Sequence, residues 1–125
     1  MIEKIETPSA LRETGGPSGD KRIEILEFFG RINTRTEGIS IARLTSEAGW
    51  SEPGQCPEFD EYTIVLSGEL HVESSDGSVT IVKAGEAVLT PKGEWIRYSS
   101  PNSDADYIAV CLPAFGMELA HRNKE

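Results

Sequence analysis

Two segments punctuated by glycine and proline constrain this chain more than any other feature of its sequence. The first runs from Gly49 to Gly68, and the second begins at Gly85. Glycine allows backbone conformations that other residues avoid, and proline has no backbone N–H to donate, so both residues mark turns. The stretches between these turns are short and rich in β-branched and aromatic residues. The pattern therefore predicts short strands joined by tight turns.

Strand-like runs recur along most of the chain, spaced about 8–12 residues apart with turn residues between them, as is typical of a sandwich or barrel. Asp76-Gly77 is a hairpin signal, because both residues tolerate positive φ. Residues 117–121 predict a short helical turn near the C-terminus. The predicted strands are residues 22–29, 38–44, 61–66, 69–73, 79–82, 87–90, 95–99 and 107–112.

The run at residues 22–29 fits two patterns. Ile25 and Phe29 would share one face of a helix. Ile23 and Ile25 instead suit one face of a strand that stops at Gly30. We assign a strand, because a barrel needs one at this place in the chain.

The length of the chain predicts a single domain, and its negative charge disfavours two classes of partner. The chain has 125 residues and a net charge of −9, which disfavours nucleic acid and anionic membrane surfaces as partners. No apolar run reaches the length of about 18 residues that a membrane span needs. Residues 1–11 lack the apolar stretch of a signal peptide, so we expect a cytoplasmic location. Cys56 and Cys111 are then expected to be free thiols, although the sequence alone does not exclude a disulfide.

The first glycine-rich segment carries Gly49, Gln55, Pro57, Glu61 and Gly68 at the spacing G-x5-H-x-H-x3-E-x6-G. This spacing resembles the first motif of the cupin family, a group of small β-barrels that usually hold a metal. Both glycines and the glutamate match the motif, whereas glutamine and proline replace its two histidines.

The second segment carries Gly85, Pro91, Gly93, Ile96 and Ser100 at the spacing G-x5-P-x-G-x2-H-x3-N. It resembles the second cupin motif, with isoleucine and serine in place of histidine and asparagine. The resemblance covers roughly residues 38–115. It implies an all-β fold, the antiparallel double-stranded β-helix or jelly-roll barrel of cupins. The expected organisation is an irregular N-terminal segment (1–20), the barrel (21–115) and a C-terminal tail (116–125).

The family's metal site uses three imidazoles and one carboxylate, which suit transition metals. The matching positions here hold Gln55, Pro57, Glu61 and Ile96. Proline and isoleucine side chains offer no lone pair, and a glutamine carbonyl is a weak neutral ligand. We therefore expect no tightly bound metal and no cofactor. The alternative is a rearranged metal site built around Gln55, Cys56 and Glu61.

Glu61 is the predicted catalytic residue. The resemblance implies that its carboxyl faces the barrel interior, where burial without a metal should raise its pKa. A carboxyl with a pKa near neutrality can serve as a general acid or base. The competing interpretation is structural: Glu61 pairs with Arg43, or is hydrogen bonded to Gln55 or Tyr107, and only shapes the pocket.

Four further residues are predicted to bind a ligand. Tyr98 shares the strand face of Ile96 by alternation. Arg43 either points inward with Ile41 as an anion-binding group, or lies at the strand end and pairs with an acid. The predicted ligand-binding residues are Arg43, Gln55, Ile96 and Tyr98.

These residues favour a cupin-fold protein that binds a small polar or anionic metabolite in its barrel without a tightly bound metal. Some cupins linked to ethanolamine utilisation are similar in lacking the histidines and in having a P-K-G-x-x-I segment, here residues 91–96. One alternative is a metal-dependent isomerase, lyase or dioxygenase acting on a sugar or small acid. Another is a purely structural, dimerising barrel. The resemblance also implies a homodimer, formed by packed sheets or by exchange of an N-terminal strand, for which residues 21–29 are the candidate.

Overall fold

A computed structural model describes residues 1–123 and contains ten strands and one short helix. In chain order these elements are β1 (Ser9–Gly15), β2 (Lys21–Phe29), β3 (Ser40–Ser46), β4 (Trp50–Ser51), β5 (Asp60–Ser67), β6 (Glu69–Ser74), β7 (Val79–Lys83), β8 (Ala87–Thr90), β9 (Ile96–Ser100), β10 (Ala105–Leu112) and α1 (Met117–Ala120).

The strands form two antiparallel sheets. One has six strands in the order β1-β2-β3-β10-β5-β8, and the other has four in the order β4-β9-β6-β7. Their inner faces share a buried core that joins Val65 of the larger sheet to Leu70 and Val72 of the smaller one. Non-consecutive strands lie side by side in both sheets, as in a jelly roll. The predicted all-β antiparallel barrel with a short helical turn is confirmed.

The N-terminal region differs from the expectation that residues 1–20 are irregular. Residues Ser9–Gly15 form β1, which pairs with β2 along its whole length, from Ser9 opposite Glu27 to Gly15 opposite Lys21. The hairpin turn uses Gly16 and Gly19, both at positive φ. β1 has no alternation of apolar and polar residues, so its pairing depends on β2 and the turn rather than on a local pattern.

The run at residues 22–29 is a strand, as predicted. β2 pairs with β1 on one side and with β3 on the other. Ile23 is buried in the barrel core, and Ile25 packs against that core from the same face. Both edges of β2 are thus occupied by strands of the same chain.

The segment after α1 returns to the loop that precedes β5. The N–H of Glu58 donates to the carbonyl of Leu119 at 2.8 Å, and the N–H of Asn123 donates to the carbonyl of Gly54 at 2.7 Å. Between these bonds, Arg122 pairs with Gln55 in an antiparallel bridge. The C-terminal segment is therefore fixed across one end of the barrel. No helix within residues 1–123 has the length and apolar character needed to cross a membrane.

Strand β5 presents different faces to the inside and the outside. Thr63 and Val65 point inward and are buried, as the alternation predicts. Tyr62, Ile64 and Leu66 point outward and remain 44–45% exposed. Because both sets of side chains are mostly apolar, the sequence alone would suggest cover on both faces, but within residues 1–123 no element covers the outer one.

Candidate functional site

A cavity of about 280 Å³ lies inside the barrel. Most of its wall is apolar and comes from both sheets, including Ile23, Ile25, Leu44, Trp50 and Ala109. Five acidic or basic side chains also line it, namely Glu13, Glu27, Glu52, Glu61 and Arg122. A mostly apolar cavity with a few polar groups is the usual form of a small-molecule site.

Glu61 lies near the start of β5 and faces this cavity. Its Oε1 accepts a hydrogen bond from the Tyr98 hydroxyl at 3.1 Å, and that hydroxyl lies 2.6 Å from Thr90 Oγ1. Burial raises the pKa of Glu61 to about 7, while the Tyr98 hydrogen bond and the charge of Arg122 oppose the rise. The carboxyl therefore exchanges its proton near neutral pH.

Glu52 is a second carboxyl at the same cavity. Burial, reinforced by the nearby charge of Glu61, raises the pKa of Glu52 to about 8, and Arg122 again opposes the rise. Its Oε2 lies 3.5 Å from the backbone nitrogen of Tyr98, which donates to it. Glu52 was not predicted because it matches no conserved position of either motif. A signal was present, since Glu52 follows Trp50 by two residues in extended chain and so shares its inward face.

Arg122 and Glu13 reach the cavity from the two ends of the chain. Arg122 Nη1 lies 3.6 Å from Glu13 Oε1. Neither residue was predicted. Glu13 lies on a strand with no recognisable pattern, and Arg122 is placed by long-range pairing with Gln55, which leaves no local signal in the sequence.

Three of the predicted site residues meet at the cavity, namely Gln55, Glu61 and Tyr98. Gln55 is held by two backbone hydrogen bonds with Ile96, of 2.9 and 2.8 Å. Ile96 itself is buried in the barrel core and does not line the cavity. Its role is to fix Gln55 in place through the backbone.

The predicted placement of Arg43 in the pocket is corrected by the structure. The inward residues of β3 are Ser40, Ala42 and Leu44, so Arg43 lies on the outer face. There its Nε and Nη2 contact the carboxylate of Asp106 at 2.9 and 2.5 Å. The pairing with an acid is the alternative predicted from the sequence, but Arg43 lies in the middle of β3 rather than at its end.

The donors at the cavity do not fit the metal site of the cupin family. Pro57 and Ile96 stand at two ligand positions and have no donor atom in their side chains. Within residues 1–123, no three His, Cys, Asp or Glu side chains come together as a metal site. Cys56 is exposed and its thiol donates to the carbonyl of Gly93 at 3.4 Å, so it does not join Gln55 and Glu61.

The remaining candidates for chemistry lie elsewhere or are inactive. His71 pairs with Glu69 at 2.9 Å, and His121 pairs with Glu58; neither histidine lines the cavity. Cys111 does line it, but burial raises the pKa of its thiol well above the usual range, which keeps it protonated.

Comparison with known proteins matches residues 44–112 to the family model described as "Cupin domain". Over 102 residues the chain is 48% identical to the protein named endoribonuclease YbeY from Myxococcus xanthus, covering 81% of this chain and 34% of that protein. Over 56 residues it is 41% identical to the acetate kinase EutQ of Salmonella typhimurium, covering 45% of this chain and 24% of that protein. The chain thus spans about a third of the length of the first relative and about a quarter of the length of the second.

The fold also matches a crystal structure described as a putative ethanolamine utilization protein Q from Salmonella typhimurium LT2. The two superpose with a TM-score of 0.62 over 90% of this chain and 100% of that one, at 20% sequence identity. This likeness concerns the fold alone.

Proposed function

We propose that this chain, which belongs to the cupin family, binds a small polar or anionic organic molecule in its barrel without a tightly bound metal. The observation that carries the proposal is the pair of carboxyls, Glu52 and Glu61, facing one largely apolar cavity. The apolar wall suits the body of a small molecule, and the carboxyls and Gln55 suit its polar end.

In this proposal Glu61 is the group that moves a proton. Its pKa of about 7 makes both of its protonation states available at neutral pH. The Tyr98 hydroxyl holds one of its oxygens and leaves the other for the ligand. Glu52, with a pKa of about 8, stays largely protonated under the same conditions and can donate a hydrogen bond. The chemistry that this pair suits is proton transfer to and from a bound molecule.

RNA is not a partner in this proposal, although one relative is named an endoribonuclease. The chain matches only 34% of that protein. Its net charge of −9 opposes binding to a phosphate backbone. We also propose a cytoplasmic location, because the free thiols of Cys56 and Cys111 suit a reducing compartment.

Ligand binding can be followed through Trp50, which lines the cavity, whereas the ring of Trp95 packs against Gly54 and does not line it. We expect small organic acids, amides and alcohols to change Trp50 fluorescence in a saturable way. Ala42→Leu should fill part of the cavity and weaken this binding by roughly tenfold or more. Ile41→Leu, on the outer face of the same strand, is the matched control and should leave binding unchanged. Equal binding by both variants would place the ligand elsewhere.

We expect protein purified without chelator or affinity-tag metal to hold less than about 0.1 transition-metal ion per chain. Only Gln55 and Glu61 offer a donor atom at the family's ligand positions, and two oxygen ligands do not hold such an ion tightly. Glu61→Gln should give the same value. Elemental analysis makes the measurement. A content near one ion per chain that is lost in the variant would contradict the proposal and point to a metal-dependent enzyme.

We further propose that two copies pair through the outer apolar face, defined as Tyr62, Ile64, Leu89, Ile108 and Val110 on β5, β8 and β10. Three of its side chains are 44–47% exposed, and none of the five is charged. Because each chain has a net charge of −9, two copies repel least where they meet without carboxylates. Packing of sheets, rather than exchange of β2, is the mode proposed, since both edges of β2 are already paired.

Light scattering should therefore give twice the chain mass of 13.7 kDa. The double variant Ile64→Lys/Leu89→Lys should give the single chain mass, because the added charges repel across the paired faces. Ile81→Lys, at a residue of the other sheet that is 47% exposed, is the control and should remain dimeric. A wild-type chain that elutes as a monomer at micromolar concentration would exclude the dimer.

A further inference from the structure

Arg122 is a cation held at the barrel cavity by backbone contacts. Its backbone bridges to Gln55, and the next residue donates an N–H to the carbonyl of Gly54 at 2.7 Å. Within residues 1–123 it is the one cationic side chain that lines the cavity. It also lies ten residues beyond the end of the family match at residue 112 (122 − 112 = 10). Arg122 therefore stands outside both motifs and outside the matched family model.

The guanidinium of Arg122 is only partly satisfied. Its Nε is buried and, within residues 1–123, has no hydrogen-bond partner. Its ion pair with Glu13 spans 3.6 Å between Nη1 and Oε1, longer than a hydrogen bond. A buried donor without a hydrogen-bond partner is costly and calls for one. A ligand anion in the adjoining cavity would supply that partner.

Two other polar groups at the cavity, Glu52 and Glu61, suit the same kind of ligand, whereas Glu13 and Glu27 also line it as acidic residues. Glu52 and Glu61 in their protonated forms are hydrogen-bond donors, and a carboxylate accepts hydrogen bonds only. The remaining wall is largely apolar. A small apolar body with one carboxylate therefore matches both parts of the cavity.

We propose that Arg122 is the anion-recognition residue of this cavity and that its ligand is a small carboxylic acid bound as the carboxylate. This inference rests on the proposed function, since it names the ligand class of the same cavity. The carboxylate accepts hydrogen bonds from the guanidinium, while its apolar body packs between the sheets.

The test compares benzoate with benzamide, which has nearly the same shape but no charge. Calorimetry or Trp50 fluorescence at about pH 6 should give benzoate roughly tenfold tighter binding than benzamide in the wild-type protein. Arg122→Gln should remove this preference while leaving benzamide affinity unchanged. Arg122→Lys, which keeps the charge but not the planar fork, should keep part of the preference. Arg43→Gln is the matched control, because its guanidinium lies on the outer face, and it should leave both affinities unchanged.

The possible outcomes distinguish the role of Arg122, the class of the ligand and binding in the cavity. Equal benzoate affinity in the wild type and in Arg122→Gln overturns the role of Arg122, and a wild type that prefers benzamide overturns the carboxylate ligand. In both cases cavity binding itself stands, because benzamide still binds. A wild type that binds neither compound at millimolar concentration overturns the cavity-binding proposal as well. Circular dichroism confirms that each variant is folded, and Arg122→Lys keeps the test decisive should Arg122→Gln not fold.

A pH series tests whether the bound carboxylate lies beside the cavity carboxyls. Benzoate affinity should fall as the pH rises past the pKa values of Glu61 and Glu52, because their new negative charges oppose a bound anion. Benzamide affinity should change much less. The titratable and charged groups that face the cavity are Glu13 of β1, Glu27 of β2, Glu52 after β4, Glu61 of β5, Tyr98 of β9, Tyr107 and Cys111 of β10, and Arg122 of the C-terminal segment.

Discussion

Replacing Gly68 with alanine should lower the free energy of unfolding by about 3–5 kcal/mol. Gly68 joins β5 to β6 at a φ of +72°. A Cβ at this position would lie 1.9 Å from the carbonyl oxygen of Asp104, a backbone atom that cannot turn aside as a side chain can. The variant therefore suffers both an unfavourable backbone conformation and a collision that forces two loops apart.

Gly77→Ala is the matched control for this effect. Gly77 has a similar φ of +85°, but a Cβ there would meet no heavy atom within 4 Å. Gly77→Ala should lower the free energy of unfolding by only about 1–2 kcal/mol, the cost of the left-handed backbone alone. Urea unfolding of the two variants measures the difference. Equal losses would mean that the contact with Asp104 relaxes without cost, and that φ alone explains the glycine at the end of the first motif.

The protein should become less stable as the pH rises from about 5 to about 9, by on the order of 7 kcal/mol. Glu61 and Glu52 have pKa values of about 7 and about 8 in the folded chain, against an ordinary value of 4.5. Below pH 4.5 the folded and the unfolded chain both carry these protons, so burial of the carboxyls has no electrostatic cost. Above 4.5 the unfolded chain loses its protons first, so the folded state binds more protons and the free energy of unfolding falls. The decline ends once the pH exceeds the folded pKa values.

Glu52→Gln/Glu61→Gln tests the origin of this slope, because glutamine resembles the protonated carboxyl at every pH. The double variant should show a much flatter dependence of stability on pH. Glu94→Gln, at an exposed position, should keep the wild-type slope. Denaturant melts at four or five pH values suffice. A wild-type protein whose stability rises over the same range would show that the carboxyls are not shielded from solvent in the folded state.

The fold was predictable because turns are marked locally. Glycine, proline and the Asp76-Gly77 pair fix where strands end, and alternation within each run then predicts the sheets. β1 was not predictable, since its sequence has no alternation and its strand exists through pairing with β2.

The site was only partly predictable for a similar reason. Glu61 and Gln55 stand at motif positions, and Tyr98 follows by alternation from Ile96. The sequence did not decide which face of β3 carries Arg43, because alternation gives the period of a strand and not which side faces the core. Arg122 depends on a contact between residues far apart in sequence, which no local pattern reveals.

The charged lining of the cavity has a consequence for how proteins of this kind diverge. Three of its five charged residues, Glu13, Glu27 and Arg122, lie outside residues 44–112, where the family match is found. Two chains can therefore agree at every motif position and still hold cavities of opposite charge. Ligand preference in such barrels can change through mutations in the terminal segments alone, while the barrel that those segments close stays the same.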